Sequence, residues 1–392
     1  MQITFVSNYI NHHQLPMSEA LSELTGGNYT FIQTEPISGE RVKMGWNANA
    51  DEQDFVKKYY EEPDACRKLI MDSDVVISGG IEDESYVMER LLAGKFTIRY
   101  SESIYKEGRW KFITPRGLIR KYKEHIRFRN YPVYMLCSGA YVAGDFHLIG
   151  AYPGKMLKFG YFPRFVERAG EELDGDRDDN LVNILWVGRM IDWKHPEAVI
   201  GLAKRLADAG IDYKLTMIGR GELGQTVEEM ISREGLGDRV TVIESMTPKE
   251  VRGYMRKADI LVATSDRREG WGAVVNEAMN EGCAVVVSHE EGCATFLIND
   301  CVNGFIYRNG DMDDLLDKTT RLCESKDLRR RLGHCAYQTI RDTWNARTAA
   351  SRLIDFINDP KHEIHDYEDN GPLSKAPILS PKKWRQPEGN CR

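Results

Sequence analysis

Ten short apolar runs, rich in β-branched residues, recur along the chain. They lie at 2–6, 28–33, 74–78, 96–100, 132–137, 183–188, 213–218, 239–243, 259–263 and 284–287. Between them are stretches with apolar residues at helical spacing, such as EAVIGLAKRLADAG at 197–210 and EVRGYMRKAD at 250–259. Continuous runs such as DVVIS and DILVA suit strands buried on both faces, so the alternation predicts parallel sheets covered by helices on each side. Ten strands exceed one small open sheet.

The segment 164–180, RFVERAGEELDGDRDDN, is acidic and turn-rich and reads as a linker. The expected organisation is a Rossmann-like domain over 1–163, the linker 164–180, and a second Rossmann-like domain over 181–345. A C-terminal helix over 346–358 would pack back on the first domain. A tail over 359–392, rich in Pro, Gly and charge, is expected to be loosely held. A TIM barrel is the competing arrangement, but the acidic break and the fresh start at NILWVGR argue against eight uniform βα units. Two facing doubly wound α/β domains would turn the carboxyl ends of their strands toward one cleft, where such sheets bind ligands.

Composition narrows the function classes. A net charge of −7 disfavours generic nucleic-acid binding. No apolar run approaches the roughly 18 residues of a membrane span, and the opening QITFV is strand-like rather than a signal sequence, so a cytoplasmic location is expected. None of the eight Cys forms a CxxC pair and the nine His are scattered, so no metal cluster is expected and the thiols should be reduced. Residues 106–130 depart from the average. They carry nine Lys or Arg against Glu107 and Glu124, a local charge of +7, interleaved with Trp110, Phe112, Ile113, Leu118, Ile119 and Phe128. That mixture suits an anionic membrane surface, the alternative being a solvated helix and loop.

The sharpest chemical signals follow strands in the second half. NILWVGRMIDWKHPE places Gly188 and Arg189 directly after a strand and Lys194 five residues on. Two cations at the mouth of a βα loop suit a diphosphate, which they would neutralise as a leaving group. GRGELG at 219–224 matches the Gly-x-Gly-x-x-Gly pattern through Gly219 and Gly221. It follows the second strand of its half, not the first as in a nicotinamide dehydrogenase, so a turn lining a nucleotide-sugar site is the better reading. A third loop carries Glu269, Gly270, Trp271 and Gly272 and leads into a helix beginning near Ala273 and Val274, with Glu277 two turns in. Free amides at that helix start suit phosphate oxygens, and two carboxylates suit hydroxyl-rich ligands.

Taken together, Arg189, Lys194 and the stretch from EGWGAVVNEAMNEGCAVV to CVNGFIY resemble the donor half of the retaining GT-B glycosyltransferases of family 4. The Glu, seven residues, Glu motif of that family falls here on Glu269 and Glu277. FVSNYINHHQLP, FIQTEP and GAYPGKMLKFGYFP resemble the subgroup that builds bacterial capsule and exopolysaccharide. The resemblance extends to about residue 358.

It implies a GT-B fold, with 1–163 the acceptor-binding domain and 181–345 the nucleotide-sugar donor domain, and a metal-independent transfer from a nucleotide sugar, with UDP the commonest base. The acceptor would be a glycan or a polyprenyl-linked molecule. Glu277 would hold the ribose and Glu269 the sugar, Arg189 and Lys194 would hold the diphosphate, and the loop containing Ser245 and Met246 would touch the base. Where many members have a glycine-rich loop after the first strand, this chain has SNYINHHQ, which makes Asn11, His12 and His13 candidates for the acceptor side. Glu102, after the strand FTIRY, is a candidate near the reacting carbon. A nucleotide-sugar epimerase and a non-catalytic sugar-nucleotide-binding component remain the alternative readings.

Overall fold

All ten expected strands form within one residue of their expected bounds, and every strand pairing is parallel. The computed structural model describes residues 1–37, 39, 50–108, 114–173, 177, 181–244, 246–360, 367 and 370–384. Ser245, residues 109–113 of the basic stretch, and much of the expected linker and tail lie outside the described residues.

The first sheet contains β1 (Ile3–Ser7), β2 (Tyr29–Gln33), β3 (Val56–Lys58), β4 (Val75–Gly79), β5 (Thr97–Ser101), β6 (Val133–Ser138) and β7 (Met156–Phe159). Its order is β3-β2-β1-β4-β5-β6-β7. Its helices are α1 (Leu15–Leu24), α2 (Pro63–Asp72), α3 (Ser85–Leu92), α4 (Pro115–Glu124) and α5 (Val142–Leu148). The second sheet contains β8 (Val182–Val187), β9 (Tyr213–Ile218), β10 (Val240–Ile243), β11 (Ile260–Ala263), β12 (Ala284–Ser288) and β13 (Phe305–Tyr307), ordered β10-β9-β8-β11-β12-β13. Around it lie α6 (Pro196–Asp208), α7 (Gly224–Arg233), α8 (Pro248–Lys257), α9 (Ala273–Asn280), α10 (Ala294–Leu297), α11 (Met312–Glu324) and α12 (Lys326–Asp342), and α13 (Ala346–Asn358) follows.

In each sheet the strand order reverses beside the first strand, at β1/β4 and at β8/β11. Those are the switch points where doubly wound sheets bind ligands. Helices cover both faces, which is why strands such as β4, β11 and β12 are buried along their whole length.

The chain divides into two compact units, Met1–Arg164 with Thr343–Ser380 and Phe165–Asp342 with Pro381–Arg392. Helix α13 belongs to the first. Arg347 on it pairs with Glu23 of α1 at 2.9 Å, and Phe356 packs edge-on against Tyr134.

The tail corrects one expectation. Residues 373–376 lie antiparallel along β7: Leu373 N–H donates to Lys158 O, Lys158 N–H to Ser374 O, and Ala376 N–H to Met156 O. Leu373 and Ser374 are buried. A side chain at Gly144 would meet the Leu379 carbonyl at 2.1 Å, so glycine lets the tail approach α5. The free edge of β7 is what recruits the tail, because its backbone groups need partners.

The expected linker is also partly structured. Val166 N–H donates to Asn280 Oδ1 and Asn280 Nδ2 returns a bond to Val166 O, while Arg168 pairs with the buried Glu281 at 2.9 Å. Six cysteines are free thiols, but Cys301 is disulfide-bonded, against the expectation of reduced thiols throughout. It sits half-exposed in a turn, at φ +66°. Among the described residues no helix is long and apolar enough to cross a membrane.

Candidate functional site

In the second unit, the loops after β8, β9, β11 and β12 interlock at the carboxyl edge of the sheet. Met190 N–H donates to Arg220 O, and Leu223 N–H donates to Met190 O. The glycine pattern at 219–224 has a packing cause. Gly219 has φ +146°, and a Cβ there would lie 1.8 Å from the Gly188 carbonyl; one at Gly221 would lie 2.3 Å from the Met190 carbonyl. These glycines allow backbone to meet backbone, and so fix the loop that carries Arg189.

A second set of bonds ties that loop to the one after β11. Trp186 Nε1 donates to Thr264 Oγ1, Thr264 Oγ1 donates to the Lys194 carbonyl at 2.6 Å, and Asp266 N–H donates to Trp193 O. Lys194 thereby meets Glu269, Nζ to Oε2, at 2.6 Å. Burial alone would weaken the ammonium, but the carboxylates of Glu269 and Glu291 outweigh it and raise its pKa. Lys194 is therefore a cation at any physiological pH.

Arg189 is exposed, and its guanidinium lies over the Trp193 ring at 5.4 Å. Arg268 lies over the same ring at 5.5 Å and is held by Asp266 and Asp192. His195, at φ +48°, sits between Asp266 and Glu197. Hydrogen bonds to those two carboxylates lift its pKa to about 9. Trp193, His195 and Arg268 were not singled out from the sequence, although two of them flank Lys194.

The loop from Glu269 turns into α9 at Gly272, whose φ of +95° is left-handed. A Cβ there would strike Glu291 Oε1 at 2.2 Å, and one at Gly292 would lie 1.8 Å from the Gly270 carbonyl. The Trp271 ring is fully buried, donating Nε1–H to Asn276 Oδ1 at 2.7 Å. Of that residue only the main chain can serve a ligand. Ala273 and Val274 form the half-exposed first turn, where backbone amides lack helical acceptors. Glu277 is half-buried on α9, and burial, reinforced by Glu281 and opposed by Arg252, pushes its carboxyl up to about 7. Met246 is half-buried between β10 and α8.

Glu291, also missed, is fully buried after β12. Neither of its oxygens has a full hydrogen bond, and burial, opposed by Lys194, leaves its carboxyl near 7. It stood in the sequence as one of two loop glutamates in SHEEG, with nothing to mark it.

In the first unit the candidates gather differently. His12 and His13 contact ring to ring at 3.8 Å, and His13 stacks on Tyr161 at 5.9 Å. Tyr161 donates its hydroxyl to Glu102 Oε1 at 2.5 Å, and Lys106 pairs with the other oxygen. Tyr161, unremarked in the sequence, thus joins His13 to Glu102. Burial, aided by His12, lowers the His13 pKa to about 3, so its ring is neutral. The Asn11 side chain is engaged in its own turn, accepting from the His13 and Gln14 amides.

Residues 174–339 match the family model described as Glycosyl transferases group 1. An uncharacterized glycosyltransferase, MJ1178, of Methanocaldococcus jannaschii is 29% identical over 149 residues, 38% of this chain and 40% of that protein. The alpha-D-kanosaminyltransferase of Streptomyces kanamyceticus is 28% identical over 159 residues, 41% of this chain and 40% of that protein. The matches thus span about two fifths of these curated relatives. The crystal structure of Anabaena Alr3699/HepE in complex with UDP aligns with TM-score 0.68 at 12% identity, over 91% of this chain and 100% of that one. At that identity the likeness shows the fold, two Rossmann-like parallel-sheet units of GT-B type. The segment that resembles this family lies within the second unit and covers less than half of the chain.

Proposed function

We propose that the protein is a retaining, metal-independent glycosyltransferase of family 4. It moves a sugar from a nucleotide donor, with UDP favoured, to a glycan or polyprenyl-linked acceptor in bacterial polysaccharide biosynthesis. The observation that carries this reading is the meeting of Lys194 with Glu269 beside exposed Arg189, in loops that lead to the open first turn of α9. The UDP bound in the HepE structure supports the choice of base.

In this reading the diphosphate lies on Arg189, Lys194 and the first-turn amides of α9. Glu277 accepts from the ribose hydroxyls and Glu269 from those of the sugar. The anomeric C–O bond to the diphosphate breaks as the acceptor oxygen bonds to the same carbon from the same face, and the acceptor proton passes to the leaving phosphate oxygen. Two protein cations neutralise the charge that develops. His13 and Glu102 flank the acceptor.

Nucleotide release from UDP-, GDP-, ADP- and CMP-sugars tests the donor. UDP is expected from one donor, unchanged by EDTA, and Glu277→Ala should weaken that donor's binding at least tenfold; unchanged affinity would sink the assignment. An isomerised sugar with no nucleotide released would favour the epimerase.

Association with a membrane surface is a second part of this proposal. Helix α4 buries none of its ten residues and exposes Leu118, Ile119 and Tyr122 among Arg116, Arg120 and Lys123. The protein should bind vesicles of anionic phospholipid at low salt and release them as salt rises. Vesicles left unbound at low salt would remove this part and leave the enzyme proposal standing.

A further inference from the structure

A cavity of about 480 Å³ opens in the first unit at the carboxyl ends of β4 and β5, beside the switch point at β1/β4. That is within the roughly 300–1,000 Å³ of small-ligand sites. Arg99, only 4% exposed, lines it and donates through Nη2 to Glu84 Oε1. Ser78 is its register partner on β4, so the two side chains stand together on one face of the sheet.

Ser78 Oγ, Glu84 Oε2 and Arg99 Nη1 are buried polar atoms without hydrogen-bond partners. Such atoms are rare in proteins and point to a ligand or water that completes them. All three residues line the cavity, and the atoms are complementary: one unused donor, one unused acceptor, and a hydroxyl that can do either.

The charge on the wall discriminates between ligands. Arg99, Arg120 and Lys121 face Glu82, Glu84 and Glu124, three against three, and Arg120 pairs with Glu124 at 2.6 Å. A phosphate would find no uncompensated positive field. Neutral hydroxyls find an ion pair with one hydrogen-bonding site left on each side.

We infer that this cavity binds a neutral sugar unit of the acceptor, with two neighbouring hydroxyls bridging Arg99 and Glu84 and Ser78 supporting one of them. The inference rests on the glycosyltransferase proposal for the identity of the ligand as acceptor, and on the cavity alone for its chemical class.

The test is saturation-transfer NMR on the full chain with the methyl glycosides of glucose, galactose, mannose and N-acetylglucosamine, alongside 31P line-broadening with inorganic phosphate. At least one glycoside should bind. Its dissociation constant should rise at least fivefold in Ser78→Ala and in Glu84→Gln, with the thermal midpoint of each variant as the check on folding. If Glu84→Gln fails to fold, Ser78→Ala decides alone. No glycoside binding, binding unmoved by the folded variants, or phosphate broadening lost in Ser78→Ala would each overturn the inference. Nucleotide release is measured separately: glycoside binding without any nucleotide release keeps the sugar cavity and fails the glycosyltransferase reading, and nucleotide release without glycoside binding does the reverse.

Discussion

The loops after β1 and after β8 occupy the same position in two sheets of the same order, yet their electrostatics are opposite. After β8, Lys194 is ion-paired to Glu269 and held as a cation. After β1, His13 lies between His12 and Tyr161 and is held neutral. Position in the fold does not set charge; the neighbours do. A carboxylate within 3 Å outweighs burial for the lysine, whereas a second imidazole adds to burial for the histidine. One edge holds a buried cation, the other a neutral ring.

The largest expected effect falls on the charged edge. Lys194→Gln should lower nucleotide release by about 10²–10³-fold, the usual loss for one electrostatic donor at a leaving group. A loss under threefold in steady-state kinetics would mean the β8 loop does not hold the diphosphate.

Next comes the packing that holds this edge. Gly219→Ala sets a Cβ against the Gly188 carbonyl and should cost roughly 3 kcal/mol. Gly26→Ala, at φ +62° with nothing within 4 Å, should cost only about 1 kcal/mol. Equal costs in urea denaturation would show that backbone conformation alone, and not loop contact, requires glycine.

The third prediction separates the edges by pH. Folded Glu291 keeps a proton that the unfolded chain loses above about pH 4.5, so this carboxyl costs stability increasingly as pH rises from about 4.5 to about 7. Glu291→Gln should be more stable than the parent at pH 8 and little different at about pH 4.5. A gain independent of pH would assign the effect to packing. His13 acts in the other sense. Its folded pKa near 3 means that its cost appears as pH falls below about 6.5, with nothing lost on the alkaline side.

What the sequence hid follows a physical pattern. The strands it did not reveal are β3, β7 and β13, each at a sheet edge and three or four residues long. Runs this short give periodicity little length in which to show. VKK has no alternation, and MLKF interrupts its run with Lys158, whose buried ammonium is satisfied by the Asn370 carbonyl. Arg189, Lys194 and Glu269 stood out in the sequence because charged residues after strands there share their loops with glycines and motif spacing, and the structure brings Lys194 to Glu269. Glu291, Tyr161 and Arg268 were not, because their importance lies in contacts between loops far apart in the chain.

The return of residues 343–380 to the first unit sets an order of completion during synthesis. The stretch Phe165–Asp342 leaves the ribosome as one continuous piece carrying the whole second sheet, and can fold as it emerges. The first sheet emerges earlier but finishes later, because β7 lacks its edge partner, and α1 its packing helix, until about residue 376 has emerged. Over that interval the nascent chain presents an unpaired strand edge, a natural site for a chaperone to hold.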